Sequence, residues 1–221
     1  MTEVIAVLGG TGHEGAGLAA RWAKAGYRVL IGSRDAVRAA EAAKAMAEAT
    51  GGTVEGMANS DAAAAADVVV LAVPYAGQAP LALDMQAHLQ GKILIDVTVP
   101  LVPPKVARVQ LPAGGSAVEA LQRKLGEGVR VVSAFQNVSA HQLAALDEAV
   151  DCDVLVAGDD VDAREVVVQL AQAIGITAWH AGPLANSAAA EALTSVLIAI
   201  NKRYKVPGGA GIRISGIPAQ S

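Results

Sequence analysis

The sequence has a single cysteine, Cys152, and a single phenylalanine, and all aromatic residues together make up 3% of its 221 positions. One cysteine excludes an intramolecular disulfide and a cysteine metal cluster, and reads as a small buried hydrophobe. With 53% hydrophobic residues but so few aromatics, the core has to be built from Ala, Val, Leu and Ile. The four histidines, at 13, 88, 141 and 180, lack the i, i+4 spacing of a helical zinc site, and no nucleophile elbow surrounds Ser139 and His141. A net charge of −4 leaves no basic surplus for nucleic acid or an anionic membrane. Met1-Thr2-Glu3 leads straight into an apolar run, which leaves no room for a signal peptide. The longest late apolar run, Leu193 to Ile200, is bracketed by Glu191 and Asn201 and falls short of a bilayer span. A soluble cytoplasmic protein is expected.

What is present begins at the N-terminus. Val4-Ile5-Ala6-Val7-Leu8 is an unbroken apolar run ended by Gly9-Gly10-Thr11-Gly12-His13-Glu14-Gly15 and then by the amphipathic Leu18, Ala19, Trp22, Ala23 face. This is the pattern of a buried parallel strand feeding a helix. Gly10, Gly12 and Gly15 stand at G-x-G-x-x-G spacing: the first for the tight turn, the second for approach of a pyrophosphate, the third for close helix packing. The amides and dipole of the following helix favour phosphate. Where an NAD enzyme would carry an acid, roughly 20 residues on, this chain has Gly32-Ser33-Arg34, with Arg38 one helical turn further. A hydroxyl and guanidinium groups bind a 2′-phosphate that an acid would repel, so the expected coenzyme is NADP(H); Asp35 reads as a helix cap. No residue pattern announces a general acid or base, which fits hydride exchange between two bound rings.

The chain then alternates strands and helices. Helices are expected over Ala36 to Ala49, near Asp61, over Leu81 to Leu89 and from Ser116 to Leu125. Strands are expected near Val54, over Asp67 to Val73, over Lys92 to Asp96 and over Val129 to Ser133. Val73, Pro74 and Tyr75, leaving a strand's carboxyl end, are candidates to line the ribose and nicotinamide. Pro103-Pro104 and Gly114-Gly115 frame an irregular loop that could cover the site. The amides of Gln136 and Asn137 open onto the same crevice, either to bind a ligand or to tie down the loop. Further on come a strand at Cys152 to Ala157, a helix at Val161 to Ile174, a strand at Thr177 to His180 and a long apolar helix to Tyr204, buried or paired with another subunit. The glycine-rich tail, residues 208–211, would be ordered only with something planar against it. The fold class is α/β: a Rossmann-type parallel sheet with a small C-terminal α/β extension, divided as an NADP-binding part (1–150) and a substrate-binding and dimerisation part (151–221).

The assembled motifs resemble the NADPH-dependent reductases of coenzyme F420, the F420H2:NADP oxidoreductases. The matching stretches are Val7 to Gly12, Gly32-Ser33-Arg34, Val131 to Ala134, Gly158-Asp159-Asp160, Ala181-Gly182-Pro183-Leu184-Ala185-Asn186-Ser187 with Glu191 to Thr194, and Gly211-Ile212-Arg213. The resemblance implies a reversible hydride transfer without a metal between NADP(H) and the deazaflavin F420. It implies that Thr11, Ser33, Arg34 and Arg38 contact NADP, and that Gln136, Asn137, Ser187, Ala210 and Gly211 lie near the deazaflavin. The family can carry a histidine where this chain has Gln136 or Asn137. Two other readings therefore stand beside it: an NADPH-dependent reductase of another acceptor (flavin, imine or carbonyl), and a non-catalytic NADP-binding module. A homodimer is expected from the apolar last helix.

Overall fold

The computed structural model describes residues 3–217. Strands β1 (Val4–Leu8), β2 (Arg28–Ser33), β3 (Val54–Ala58), β4 (Val68–Leu71), β5 (Ile93–Asp96) and β6 (Arg130–Ser133) are joined through helices α1 (His13–Lys24), α2 (Ala36–Thr50), α3 (Asn59–Ala65), α4 (Tyr75–Asp84), α5 (Gln86–Leu89) and α6 (Ala117–Leu125). After α7 (Ala140–Ala144) follow β7 (Val154–Gly158), α8 (Val161–Ala173), β8 (Ala178–His180) and α9 (Ser187–Tyr204). All strands belong to one sheet in the order β3-β2-β1-β4-β5-β6-β7-β8. Every neighbouring pair is parallel except β6 with β7. The strands after residue 150 thus continue the sheet of the first part.

Alternation along each strand sends side chains to two cores. Ile5, Val7, Val29, Ile31, Val68, Val70 and Ile95 pack with α1, α2 and α8 residues on one face. Ala6, Leu8, Leu30, Val69, Leu71 and Leu94 pack with α3, α5 and α6 residues on the other. Burial on both faces is why these strands read as continuous apolar runs. Trp22 is the exception to an aliphatic core: it meets Phe135 edge to face at 5.8 Å and donates its indole N–H to Leu170 O.

Two expectations about helices are corrected. The helix placed at Leu81 to Leu89 begins at Tyr75, contains Pro80, and breaks at Met85 into α4 and α5. Pro80 lies in the interior of α4, where its missing N–H removes one helical hydrogen bond. The turn starts directly behind Pro74, with Gly77 N bonded to Pro74 O, and this buries Gln78 and Ala82. The last helix, with the short turn before it, runs 21 residues, Leu184–Tyr204, and by length and composition could cross a membrane. It is longer than the apolar run visible in sequence. It is not apolar all round either: Ser187, Glu191 and Ser195 are buried on its inner face.

Candidate active site

The carboxyl ends of β1, β2 and β4 open onto a cleft of about 710 Å³. Its walls bring together Thr11, Ser33, Arg34, Arg38, Val73 and Pro74, which the sequence had nominated from three separate stretches. Gly9, Asn59, Gly77, Pro80, Leu81 and Asp84 complete it. The glycine turn lies beside the cleft, with Gly12 and His13 exposed, Glu14 half-buried and Gly10 and Gly15 buried. The left-handed residue of the turn is Gly9, at φ +82°, and a Cβ at Gly10 would come within 2.9 Å of Val7 O. A Cβ at Gly9 would stand 2.4 Å from Ala72 O. Gly15 is needed for approach: a Cβ there would come within 2.9 Å of Gly9 O.

The cleft fits a dinucleotide phosphate at two points. Helices α2, α6 and α8 begin on side-chain caps from Asp35, Ser116 and Asp160. Helix α1 begins at Gly12 with no side-chain cap, and its first internal bond is Ala16 N to Gly12 O. The amides of His13, Glu14 and Gly15 are left for an anion. At the β2 end, Arg34 and Arg38 are exposed and, among the described residues, in no ion pair. Asp35 caps α2 by accepting from Val37 N and Arg38 N at 3.0 and 3.1 Å, so its carboxylate is engaged there. Asn59, 8% exposed, keeps an unpartnered Oδ1 on the cleft wall.

Beyond β4 the polar groups are buried and hold one another. Phe135, at φ +71°, turns the chain sharply after β6; such a backbone costs on the order of 1–3 kcal/mol and persists only where surroundings enforce it. Gln136 then folds back, its amide donating to Asp96 O and Ser133 Oγ, each at 2.8 Å. The amide of Asn137 donates to Asp153 O at 2.8 Å and to Cys152 Sγ at 3.1 Å. Of the two roles open to these amides, binding a ligand or tying down the loop, their N–H groups serve the second: they are committed to the fold. Their oxygens, Gln136 Oε1 and Asn137 Oδ1, are buried without a partner.

Ser187 is fully buried and lies 2.6 Å from Ser116 Oγ. Ser116 donates to Glu191 Oε1 at 2.6 Å, and Glu191 also accepts from Ala117 N and Val118 N. The tail packs on the chain itself: Gly211 runs so close over Cys152 that a Cβ would sit 2.7 Å from Cys152 Cβ. Ala210 N donates to Asn201 Oδ1 at 2.6 Å, and Asp153 N donates to Ile212 O at 2.8 Å.

Sequence reasoning missed the carboxyl of Asp96, whereas Glu14 was read as part of the coenzyme turn and Glu191 as part of the family motif. Asp96 ends β5 fully buried, accepting from Gln78 Nε2 at 2.5 Å and Thr98 N at 2.8 Å. Burial, only partly offset by these bonds, pushes its carboxyl up to about 6. Burial and the charge of Asp96 push Glu14 up to about 8. Glu191 is raised by burial against its hydrogen bonds. The sequence signal was one acid at the end of an otherwise apolar strand, Ile93-Leu94-Ile95-Asp96.

With this geometry in hand, the comparisons with known proteins are specific. The family model described as NADP oxidoreductase, coenzyme F420-dependent, matches residues 4–100. An F420-dependent NADP reductase of Methanothermobacter thermautotrophicus is 44% identical, covering 100% of this chain and 98% of that one. Its counterpart in Methanocaldococcus jannaschii is 42% identical over 96% of this chain and 98% of that one. A crystal structure from Arthrobacter sp. FB24 superposes with a TM-score of 0.80 at 28% identity, over 96% of this chain and 99% of that one. Full-length identity at this level, on the fold and turn just described, places the chain in a family: it belongs to the F420-dependent NADP reductases.

Proposed function

We infer that this protein transfers a hydride reversibly between NADP(H) and F420. The observation that carries the reading is the cleft: an uncapped α1 behind a glycine turn, with Ser33, Arg34 and Arg38 at its ribose end. Thr11 and the α1 amides hold the pyrophosphate, the two arginines the 2′-phosphate, and Val73 and Pro74 bound the nicotinamide half. NADPH supplies the hydride when bound, and F420 takes it up on its deazaflavin ring. The protein's contribution is to fix the two rings face to face and exclude water.

The acceptor lies against residues 151–221 and the loop after β6. Gln136 and Asn137 fix the loop that faces it, and Ser187 acts from behind, through Ser116 and Glu191. The protein works as a soluble, cytoplasmic homodimer. Val196, Ile200 and Tyr204, four residues apart on one side of α9, are exposed and form the apolar stripe that a second copy would cover. Sedimentation should give twice the 22.2 kDa of one chain. Mixing the protein with NADPH and oxidised F420 should bleach the deazaflavin's visible absorbance. Oxidation of NADPH by a flavin, imine or carbonyl compound but not by F420 would replace this reading.

A further inference from the structure

The cleft beyond β1, β2 and β4 has a second wall, and that wall carries an acid. Facing Arg34 and Arg38, helix α4 contributes Gly77, Pro80, Leu81 and Asp84 to the lining. These positions recur every three to four residues, so they form one stripe along a single face of the helix. Asp84, the last residue of α4, is exposed. Among the described residues it is the one carboxylate that lines the cleft, and it makes no ion pair with Arg34, Arg38 or any other cation. Asp35, next to Arg34 in sequence, is instead held by its helix cap. A free acid in a cleft for a phosphate-rich ligand weakens binding unless it meets a hydrogen-bond donor there.

The direction of the stripe identifies that donor. Its near end adjoins Pro74, which bounds the nicotinamide half in the reading above. From Pro74 to Asp84 the helix advances about 15 Å, at about 1.5 Å per residue. The opposite half of an extended dinucleotide is the adenosine, whose ribose carries the 2′-phosphate assigned to Arg34 and Arg38. That adenosine has two donors, the 3′-hydroxyl and the 6-amino group of the base. The hydroxyl neighbours the 2′-phosphate and stays with the arginines. The amino group stands at the edge of the base farthest from the sugar, within the reach of a carboxylate on the other wall. Pro80 and Leu81 offer the face of the ring an apolar surface on the way.

Resting on the NADP reading above, we propose that Asp84 selects the adenine base of the coenzyme by accepting a hydrogen bond from its 6-amino group, with Pro80 and Leu81 as the wall on which the base lies. The arginines read the phosphate and Asp84 reads the base. Hypoxanthine has a carbonyl oxygen in place of the amino group, which sets an acceptor against an acceptor, so the site disfavours it. The base is remote from the hydride, and the selection therefore acts on binding. It serves NADPH and NADH alike.

The test measures Kd from the fluorescence of the reduced nicotinamide. NADPH, NADH and the hypoxanthine analogue of NADPH are titrated into the wild type, Asp84→Ala and Asp84→Asn. The wild type should hold NADPH on the order of tenfold or more tightly than the analogue, as loss of a hydrogen bond to a charged group predicts. Asp84→Ala should weaken NADPH by about that factor and bind the two bases alike. Asp84→Asn should also bind them alike, because an amide donates to a carbonyl as readily as it accepts from an amine. Both variants should keep the wild-type preference for NADPH over NADH and, since Asp84 is exposed, the wild-type urea midpoint. Equal wild-type affinity for the two bases, or a discrimination that survives Asp84→Ala, would overturn the proposal. Tighter NADPH binding by Asp84→Ala, or a changed NADPH/NADH ratio, would also overturn it, by making the acid a brake on the arginines. A wild type that binds none of the three nucleotides would instead overturn the NADP reading, and this proposal with it.

Discussion

At the carboxyl end of β2 the two arginines face outward and, among the described residues, make no ion pair; on the β5 and β6 side the polar groups face inward and bind one another. Arg34 and Arg38 stand exposed around a cleft. Asp96, Gln136, Asn137, Ser187 and Glu191 are each 3% exposed or less. The first region is the proposed coenzyme seat, whose polar groups are free for a ligand. The second is a packed frame whose hydrogen bonds hold α6, α9, the loop after β6 and the tail in register. Substitutions in the two regions should therefore separate affinity from stability.

The largest separation is expected from the double replacement Arg34→Ala/Arg38→Ala. Loss of charge-assisted bonds to a phosphate costs about 1.5–3 kcal/mol each, so the Kd for NADPH should rise on the order of 100-fold or more while that for NADH changes little. Urea midpoints should stay near wild type, because both side chains are exposed. Glu191→Ala should do the reverse. It strands Ser116, Ala117 N and Val118 N, and a buried group left unsatisfied costs about 1–3 kcal/mol. Chemical denaturation should show a loss of that size or somewhat more.

A smaller effect comes through pH. Glu14 is raised from 4.5 to about 8 and Asp96 from 3.8 to about 6, so over these ranges the folded chain binds more protons than the unfolded one. The sign follows: this contribution is fully present below about pH 4 and is lost as pH rises, through 6 for Asp96 and through 8 for Glu14. Thermal midpoints of the ligand-free protein should fall over that window, and Glu14→Gln should remove the upper part of the fall. The smallest effect belongs to Asp35→Ala. Removing the α2 cap should cost about 1 kcal/mol with the preference for NADPH over NADH retained; a reversed preference would mean that Asp35 also faces the ribose.

The same contrast explains what could be read from the chain. The coenzyme seat is local: Gly10 to Gly15 follow β1, Ser33 and Arg34 follow β2, and Val73 and Pro74 follow β4, so each strand announces its own contribution. The buried side joins residues far apart in sequence, Asp96 with Gln136 and Ser116 with Glu191. No spacing rule connects them, and a lone Asp or Glu in an apolar stretch looks the same whether it is buried or exposed. The two roles open to Gln136 and Asn137 could not be told apart in sequence for the same reason, since the partners of their amides lie on β5 and beside Cys152.

The most direct test of the account is the steady-state reduction of F420 with NADPH and with NADH, in the wild type and in Arg34→Ala/Arg38→Ala. The account predicts that the wild type bleaches F420 with a strong preference for NADPH, and that the double variant loses this preference through the KM for NADPH. A wild type that binds NADPH yet leaves F420 unreduced, or that uses both nucleotides equally, would contradict it.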